Sequence, residues 1–247
     1  MTHPGPLTGR RILVCGGATG IGAATARRLA HMGAAVIIQY RTRGDEAAAL
    51  RTALQASGAD VAEVCGDLTQ ESDVERVLDA SDLLHGIVHS ISPPLPRARF
   101  DKNPWAVYQQ HWEAGVKALY LLATSAIARD LPLGAIVAVL STAVVGVPPK
   151  DMAPYVAAKA GLAGFCRALA VELAPRKVRV NCVSPGLTPT PLTGHVDPRH
   201  HEILGRAVPL QRIATPDDTA GAIAFLMGPD AEFLTGVNLP VAGGASM

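Results

Sequence analysis

The sequence predicts a single α/β domain over residues 1–247, built on a parallel sheet of seven strands with helices on both faces. Short runs rich in β-branched residues alternate with longer Ala-rich segments whose apolar residues recur at helical spacing. A strand–helix–strand order requires crossovers between parallel strands, which place helices on both faces of the sheet. Strands buried on both faces are apolar throughout and do not alternate apolar with polar residues, as at 136–140 and 178–183. With 49% hydrophobic residues, the chain can bury one sizeable core.

The same periodicity places each element in turn. Strands are predicted near residues 11–15, 34–40, 61–66, 84–91, 133–141, 177–183 and 236–241, and helices near 20–32, 44–57, 70–80, 103–130, 153–174 and 215–228. Two Pro-rich segments, at 93–97 and at about 185–205, interrupt the pattern after the fourth and sixth strands. Parallel sheets bind ligands beyond the carboxyl ends of their strands, so both segments are candidate substrate walls, with a substrate loop near 186–206. The alternative is that they are ordinary surface loops.

Composition argues against several classes of protein. The chain has 22 basic and 21 acidic side chains, a net charge of +1, which provides no field for a nucleic acid or an anionic membrane. The four cysteines lie far apart and show no zinc-ligand spacing, so they are interpreted as buried thiols in a reducing compartment, and no metal site is predicted. No run approaches the roughly 18 apolar residues of a membrane span. Because residues 1–11 also lack a signal-peptide core, we expect a cytoplasmic protein.

A glycine-rich turn follows the first strand, where residues 16–22 read Gly-Gly-Ala-Thr-Gly-Ile-Gly. Free backbone N–H groups and the helix dipole make such a strand–turn–helix junction an anion site. Gly16, Gly20 and Gly22 stand where side chains would block a pyrophosphate or the contact between helix and strand. The position of the turn, more than its spacing, predicts a dinucleotide site.

The end of the second strand bears on the choice of dinucleotide. No acidic residue occupies positions 39–41, where a carboxylate would accept the ribose 2′-hydroxyl, and Arg41 and Arg43 follow instead. Arginine accommodates a 2′-phosphate through charge-assisted hydrogen bonds, so the sequence predicts NADP(H); the alternative is two solvated loop arginines. Asp67, after the third strand, is placed to accept from an adenine amino group, or to cap the next helix.

Tyr155 and Lys159 open the long helix after the fifth strand. Their i, i+4 spacing places a phenol and an ammonium on one face of the helix. An adjacent cation stabilises phenolate and so lowers the pKa of tyrosine, which suits a general acid in carbonyl reduction. The pair therefore predicts proton transfer to or from a carbonyl oxygen.

Taken together, these motifs resemble the short-chain dehydrogenase/reductase family over almost the whole chain, and within it the 3-oxoacyl thioester (acyl carrier protein) reductases. The resemblance is carried by Gly16, Gly20, Gly22, Asp67, Ser141, Tyr155 and Lys159, and by segments 180–190, 212–220 and 235–244. It implies a Rossmann-type doubly wound fold, commonly a tetramer or dimer, with Tyr155 as general acid/base. Lys159 is implied to bind the nicotinamide ribose and lower the pKa of Tyr155. Further cofactor contacts are implied at Thr19, Ile21, Leu68, Ser90, Pro185, Gly186, Thr188 and Thr190.

The serine that hydrogen-bonds the substrate oxygen is open to two assignments. Ser141 precedes Tyr155 by fourteen residues and fits a family variant reading Ser-x-Ala-x-x-Gly. Thr142 precedes it by thirteen, another common interval. Ser141 is preferred, with Thr142 as the alternative.

Two departures from the family pattern affect the expected chemistry. His89-Ser-Ile-Ser92 stands where Asn-Asn-Ala-Gly is usual, and Gly115 stands where an asparagine links the lysine to a proton path. The overlapping string Val88-His-Ser-Ile91 looks like the bacterial enoyl-thioester reductases of the same superfamily. Those enzymes place six residues between tyrosine and lysine, and that spacing, counted back from Lys159, would put Met152 in the place of the tyrosine. The glycine in place of the asparagine leaves three alternatives for the proton path: a rearranged water chain, participation of His89 or His111, or reduced activity.

The remaining large side chains have plainer interpretations. His89 is expected to be a hydrogen-bonded structural residue near the nicotinamide pocket, and His111 a residue of a helix surface. Trp105, Tyr108 and Trp112 are expected to serve packing or a subunit interface rather than a substrate cage.

The sequence as a whole predicts an NADPH-dependent oxidoreductase that transfers a hydride between nicotinamide and a small or medium, mostly uncharged ketone or secondary alcohol. A 3-oxoacyl thioester and a biosynthetic intermediate are both open as substrates. One alternative is an enoyl-type C=C reductase. Another is a catalytically weak dinucleotide-binding regulatory or structural subunit.

Overall fold

The computed structural model describes residues 5–80, 83–194 and 198–245, apart from the side chains of 198–200. Within these ranges, seven strands form one sheet in the order β3-β2-β1-β4-β5-β6-β7, and all six pairings are parallel. The strands are β1 (Arg11–Cys15), β2 (Ala35–Tyr40), β3 (Val61–Cys65), β4 (Gly86–His89), β5 (Ala135–Val139), β6 (Arg179–Pro185) and β7 (Asn238–Val241). The predicted seven-stranded doubly wound sheet is confirmed. The outermost residues of the predicted span 1–247, and 195–197 of the predicted substrate loop, lie outside the described residues.

Helices cover both faces of the sheet. They are α1 (Gly20–His31), α2 (Gly44–Ala56), α3 (Glu71–Asp79), α4 (Trp105–Trp112), α5 (Ala118–Ala128), α6 (Ala153–Leu173), α7 (Pro198–Arg206) and α8 (Pro216–Met227). One apolar cluster joins Leu13 to side chains of α3, α5 and α6, and a second joins Val14 to side chains of α1, α2 and α8. Consecutive strand residues point to opposite faces, and both faces are buried, which is why the strands are apolar without alternation.

The helix predicted at 103–130 is not one regular helix. A π-helical turn at Glu113–Lys117 separates α4 from α5, and Gly115 lies within it. A π-turn widens the helix by one residue, and it is often found at functional sites. Here it brings the backbone around Gly115 toward α6.

The segment after β6, predicted to be irregular from about 185 to 205, contains α7. Proline is favoured at the first position of a helix because it has no N–H to leave unpaired and its φ is already helical, so Pro198 begins this one. Ile203 and Leu204 are the only large apolar residues among its nine, and both are exposed, so the helix has too few apolar positions for periodicity to reveal it.

The cysteines are all unpaired, but they are not all buried. Cys15, Cys166 and Cys182 are buried as expected, whereas Cys65 is exposed because it ends β3, the edge strand of the sheet. In the described part of the chain, no helix is both long and apolar enough to cross a membrane.

Candidate active site

A cleft of about 1340 Å³ opens at the carboxyl ends of the strands. β1 and β4 are neighbours, but the chain leaves them in opposite directions across the sheet, and open α/β sheets bind ligands at such a switch point. Sites for single small molecules usually have volumes of about 300–1,000 Å³. The cleft therefore has room for a dinucleotide and a second molecule.

The glycine turn forms one wall of this cleft, and its shape depends on missing side chains. Gly16 has φ of +68°, and a Cβ there would lie 2.9 Å from the Ser90 carbonyl oxygen. A Cβ on Gly22 would lie 2.1 Å from the Gly16 carbonyl oxygen, and one on Gly20 would lie 3.1 Å from the Thr190 side chain. The backbone is thus exposed where a pyrophosphate would approach the start of α1, and the residues present fit a dinucleotide.

Gln39 holds the glycine turn to the neighbouring strand ends. Its side chain is 2% exposed, its Oε1 accepts from the Gly16 N–H at 3.1 Å, and its Nε2 donates to the Gly66 carbonyl oxygen at 2.7 Å. Sequence reasoning used Gln39 only as the absence of an acid and missed this role. A polar residue within the apolar run of β2 was the available signal, because buried polar groups are nearly always hydrogen-bonded.

Arg41 and Asp67 face each other at one end of the cleft. The Arg41 guanidinium lies 3.3 Å from an Asp67 carboxylate oxygen, and the arginine side chain is 57% exposed. Asp67 also accepts from the backbone and hydroxyl of Thr69 at 3.0 and 2.8 Å. Burial raises the pKa of Asp67, but the Thr69 hydrogen bonds and the Arg41 charge together hold it below its ordinary value. The cleft therefore has an accessible cation and an ionised acid side by side.

Ser141, Tyr155 and Lys159 line the same cleft as the glycine turn. Ser141 caps the short turn after β5, where its Oγ accepts from the Ala143 N–H at 3.2 Å, and its hydroxyl faces the Tyr155 phenol. Lys159 lies one turn further along α6, with Nζ 5.9 Å from the centre of the Tyr155 ring. Its Nζ donates to the Val139 carbonyl oxygen at 2.7 Å. Strand β5 and helix α6 thus position the three side chains together.

Burial dominates the protonation equilibria of this group. It raises the pKa of the Tyr155 phenol, and the hydrogen bond from Ser141 offsets only part of that effect. It also lowers the pKa of Lys159 to about 8. The expectation that Lys159 brings the pKa of Tyr155 below its ordinary value is not met, because desolvation of the phenolate is the dominant effect and Lys159 is not among the groups that lower this pKa.

Two buried histidines, His89 and His111, lie near Lys159 and Tyr155. His89, at the end of β4, is fully buried; among the described residues neither ring nitrogen has a partner at hydrogen-bonding geometry, although the backbone of Ala114 and Gly115 faces the ring. Burial, reinforced by Lys159, lowers the pKa of His89 to about 3. His111 is only 3% exposed, so its assignment to a helix surface is wrong: α4 turns it inward, edge-on to the Tyr155 ring at 6.0 Å.

The segment after β6 closes the cleft over the glycine turn. The Thr193 hydroxyl donates to the Thr188 carbonyl oxygen at 2.6 Å and accepts from the Thr190 N–H at 3.0 Å. These bonds fold residues 188–193 into a tight turn whose Thr190 side chain packs against Gly20. Thr193 was not identified from the sequence, because a hydroxyl that bonds backbone within a loop leaves no periodic pattern.

Nearly all of the residues predicted for the site line the cleft. They are Gly16, Thr19, Gly20, Ile21, Arg41, Asp67, Leu68, Ser90, Ser141, Tyr155, Lys159, Pro185, Gly186, Thr188 and Thr190. Gly22 is the exception, since it packs beneath Gly16 without reaching the cleft. Thr142, the alternative to Ser141, also lines it.

The three aromatic residues of α4 lie elsewhere. Trp105 stacks on Tyr108 with ring centres 5.6 Å apart and is 74% exposed, while Trp112 packs against Gly161 of α6. None of them is among the residues that line the cleft, which agrees with packing or an interface rather than a substrate cage.

The parallel sheet and its glycine turn define a Rossmann-type fold of the class that binds dinucleotides, and comparison with known proteins identifies the family within that class. Residues 16–246 match the family profile described as "Enoyl-(Acyl carrier protein) reductase". The Homo sapiens protein "Dehydrogenase/reductase SDR family member 4" is 32% identical over 252 residues, which cover 99% of this chain and 90% of that one. The chain belongs to the short-chain dehydrogenase/reductase family.

Solved structures agree with this assignment. A short-chain dehydrogenase from Burkholderia cenocepacia J2315 in complex with NADP superposes with a TM-score of 0.89 at 32% identity, covering 98% of this chain and all of that one. A 3-ketoacyl-(acyl-carrier-protein) reductase from Brucella melitensis complexed with NADH gives a TM-score of 0.88 at 28% identity, over 97% and 99% of the two chains. The neighbours thus include complexes with each form of the dinucleotide.

Proposed function

We propose that the protein is an NADPH-dependent reductase of ketones, or in reverse a dehydrogenase of secondary alcohols. The observation that carries the proposal is that Ser141, Tyr155 and Lys159 line the same cleft as the glycine turn. A carbonyl held in this cleft would have both a proton donor and a dinucleotide within the same site.

The reaction adds a hydride to the carbonyl carbon and a proton to its oxygen. When bound, the reduced nicotinamide supplies the hydride; Gly16 and Gly20 expose backbone to its pyrophosphate. Ser141 donates a hydrogen bond to the carbonyl oxygen, which polarises the bond and orients the substrate. Tyr155 gives its phenolic proton to that oxygen, and the nearby Lys159 ammonium stabilises the phenolate that remains.

The direct test is NADPH oxidation with a panel of neutral ketones and 3-oxoacyl thioesters. Tyr155→Phe keeps the ring and its packing but removes the acid, so turnover should fall by about 10²–10⁴-fold while dinucleotide binding stays within about twofold. Tyr120→Phe, on an exposed phenol of α5, is the matched control and should turn over like the wild type. Unchanged turnover in Tyr155→Phe would reject Tyr155 as the acid.

The preference for NADPH rests on Arg41, with Arg43, at the end of β2. Both line the cleft, and the neutral Gln39 stands at a position where NAD-binding sites use an acid. A charge-assisted hydrogen bond is worth about 1.5–3 kcal/mol, so Arg41→Ala should weaken NADPH about 10–100-fold and NADH hardly at all. Arg28→Ala, on the exposed end of α1, is the control. Equal losses for the two dinucleotides in Arg41→Ala would contradict the phosphate role.

A mostly uncharged substrate fits the rest of the cleft. Its apolar lining comes from Pro93, Leu95, Val147, Met152, Leu187 and Leu204, which belong to the segments after β4, β5 and β6. We propose that the segment near 186–206 acts as the substrate loop, since Leu187 and Leu204 lie near its two ends. Replacing Leu204 by Ala should change the ranking of ketones by chain length, and an unaltered ranking would remove α7 from the substrate site.

Reduction of a C=C bond is a second candidate, and the description of the matching family profile favours it. The same cofactor and the same cleft would serve an enoyl thioester. Product analysis separates the two reactions, because an enone substrate would yield a saturated ketone in one case and an unsaturated alcohol in the other. Tight NADPH binding without turnover of either class would instead support a regulatory or structural subunit.

A homo-oligomer, dimer or tetramer, is proposed from the exposed apolar surface. Phe100, Trp105 and Phe233 are each more than two-thirds exposed, and such side chains are enriched at subunit interfaces. Light scattering coupled to gel filtration would measure the assembly; a monomer at micromolar concentration would reject it.

The unpaired cysteines fit a reducing, cytoplasmic compartment.

A further inference from the structure

One cation of the cleft has no part in the proposed reaction. Among the described residues that line the cleft, four side chains are basic: Arg41, Arg43, Arg97 and Lys159. Arg41 and Arg43 are assigned to the dinucleotide, and Lys159 belongs to the reaction group. Arg97 has no such role, although the few charged groups of a mostly apolar ligand site generally orient or select the ligand.

Arg97 ends the Pro-rich segment 93–97, which the sequence predicts as a substrate wall. The ring of each proline fixes its φ, and three of the first four residues of the segment are proline. Pro93 and Pro96 are also buried, so the segment is held against the domain on both sides of Leu95. A stiff support of this kind lowers the entropy that is lost when a ligand binds, and Arg97 is therefore preorganised.

The course of the loop brings Arg97 near the reaction group. The loop begins beside the glycine turn, where the Ser90 carbonyl oxygen contacts Gly16, and Pro93 then lines a small cavity together with Tyr155. From Pro93 to Arg97 the chain can extend no further than about 14 Å, since a residue spans at most about 3.6 Å. One elongated substrate can therefore contact both Tyr155 and Arg97.

The Arg97 guanidinium is available to bind an anion. Its side chain is exposed, and within the described ranges it forms no ion pair or hydrogen bond. The two acids among the lining residues, Asp67 and Glu113, each have another partner. A guanidinium presents its N–H donors in a planar fork that matches the oxygens of a carboxylate or a phosphate. An unpaired guanidinium in a ligand site therefore favours a ligand with such a group.

We propose that Arg97 binds an anionic group, a carboxylate or a phosphate, at the end of the substrate remote from its ketone. This proposal rests on the proposed carbonyl reduction and narrows its substrate class. The substrate is neutral around the reacting carbonyl, where the lining is apolar, and negatively charged at one end. Arg97 is a positioning residue: it fixes the molecule along the cleft so that the carbonyl lies at Tyr155.

The kinetic test compares straight-chain keto acids of increasing length with their methyl esters, which have the same ketone but no charge. In the wild type, kcat/KM for a keto acid long enough to contact Arg97 should exceed that for its ester by about tenfold or more. Added salt should reduce this preference, because exposed charges are screened.

Three variants assign the preference to one side chain. Arg97→Met keeps an unbranched side chain without the charge and should abolish the preference for the acid by raising its KM, whereas Arg97→Lys should keep part of it. Arg99→Met is the matched control on the same loop, because Arg99 pairs with Asp101 at 3.2 Å and does not line the cleft. The preference for the acid should persist in Arg99→Met.

Thioesters distinguish the two sources of the anion. A CoA thioester carries phosphates at the end of its chain, and the N-acetylcysteamine thioester of the same acyl group carries none. A preference for the CoA thioester that Arg97→Met abolishes would identify a phosphate, and the same result with the keto acids would identify a carboxylate. Equal kcat/KM for charged and neutral partners in both series, or a preference that persists in Arg97→Met, would overturn the proposal. An equal loss of NADPH affinity in Arg97→Met would also overturn it, since Arg97 would then belong to the dinucleotide.

Equilibrium binding separates this proposal from the proposed function. Titration calorimetry would measure the hydroxy acid that corresponds to the preferred keto acid, and its methyl ester, on NADP⁺-saturated protein. The hydroxy acid should bind the wild type about tenfold more tightly than its ester, and Arg97→Met should bind the two alike. Equal affinities in the wild type would overturn the anion site. A wild type that prefers the acid in this way but reduces no ketone would reject the proposed function and support the anion site.

Discussion

Replacing Gly22 by alanine tests the glycine turn with a change of one methyl group. Gly22 is in the first turn of α1 and does not reach the cleft, so its substitution removes no contact to a bound molecule. Its added Cβ would lie 2.1 Å from the Gly16 carbonyl oxygen, whereas Cβ atoms in proteins stay beyond 3.0 Å. The turn must therefore open by at least 0.9 Å, the difference of those two distances.

The structural and binding consequences of this opening differ in size. Overpacking of one methyl group costs about 1–3 kcal/mol, and the better helix propensity of alanine returns about 0.8–1 kcal/mol. The free energy of unfolding should therefore fall by no more than about 2 kcal/mol, or about 8 °C in Tm. Dinucleotide binding has no such compensation, because Gly16 itself is displaced, and we expect at least a tenfold weaker Kd, about 1.4 kcal/mol.

The assay is titration of NADPH and NADH fluorescence, with thermal unfolding measured on the same samples. Gly164→Ala is the matched control: its added Cβ, in the middle of α6, would have nothing within 4 Å, so stability should rise by about 0.8–1 kcal/mol and affinity should not change. A folded Gly22→Ala protein with wild-type affinity for both dinucleotides would refute the role assigned to the turn.

Three further predictions use other parts of the structure. Carbonyl reduction should slow as pH rises through about 8, where Lys159 loses its charge, and a kcat/KM profile that is level across that pH would contradict this. Gln39→Leu leaves the Gly16 N–H and the Gly66 carbonyl oxygen unpaired and should lower Tm by about 4–8 °C, roughly 2 kcal/mol, whereas Gln109→Leu should not. Asp218→Asn removes the charge that Arg212 binds at 2.6 and 2.8 Å, at most about 1 kcal/mol at neutral pH. Because this pairing lowers the pKa of Asp218, its contribution is lost as pH falls, and the urea midpoints of variant and wild type should converge in acid.

The parts of the site that sequence reasoning located are those defined by short spacings. The glycine turn is seven residues long, and Tyr155 and Lys159 are one helical turn apart, so each motif lies within one short stretch of the chain. The sheet was predictable for a similar reason, because burial on both faces makes every strand a local apolar run. These local patterns do not predict the distances between side chains on different strands and helices.

The features that sequence reasoning missed depend on packing between elements. His111 stands between Gln110 and Trp112 on a helix with no clear apolar face, and only the approach of α4 to α6 decides that it faces Tyr155. That approach depends on Gly161, where a Cβ would lie 2.5 Å from the Trp112 ring. The π-turn at Glu113–Lys117 is equally hidden, since it is a change in the hydrogen-bonding partners of the backbone that the side-chain sequence does not record.

Burial at the site also determines the protonation states of Tyr155 and Lys159 before substrate binds. Desolvation holds the pKa of Tyr155 above its ordinary value and lowers that of Lys159 only to about 8. At neutral pH the phenol is therefore protonated and the amine is mostly charged, so both groups carry the proton that carbonyl reduction consumes. Oxidation of an alcohol would have to begin by removing one of these protons. The proposed enzyme should accordingly favour reduction near neutral pH and gain in the oxidative direction as Lys159 is neutralised.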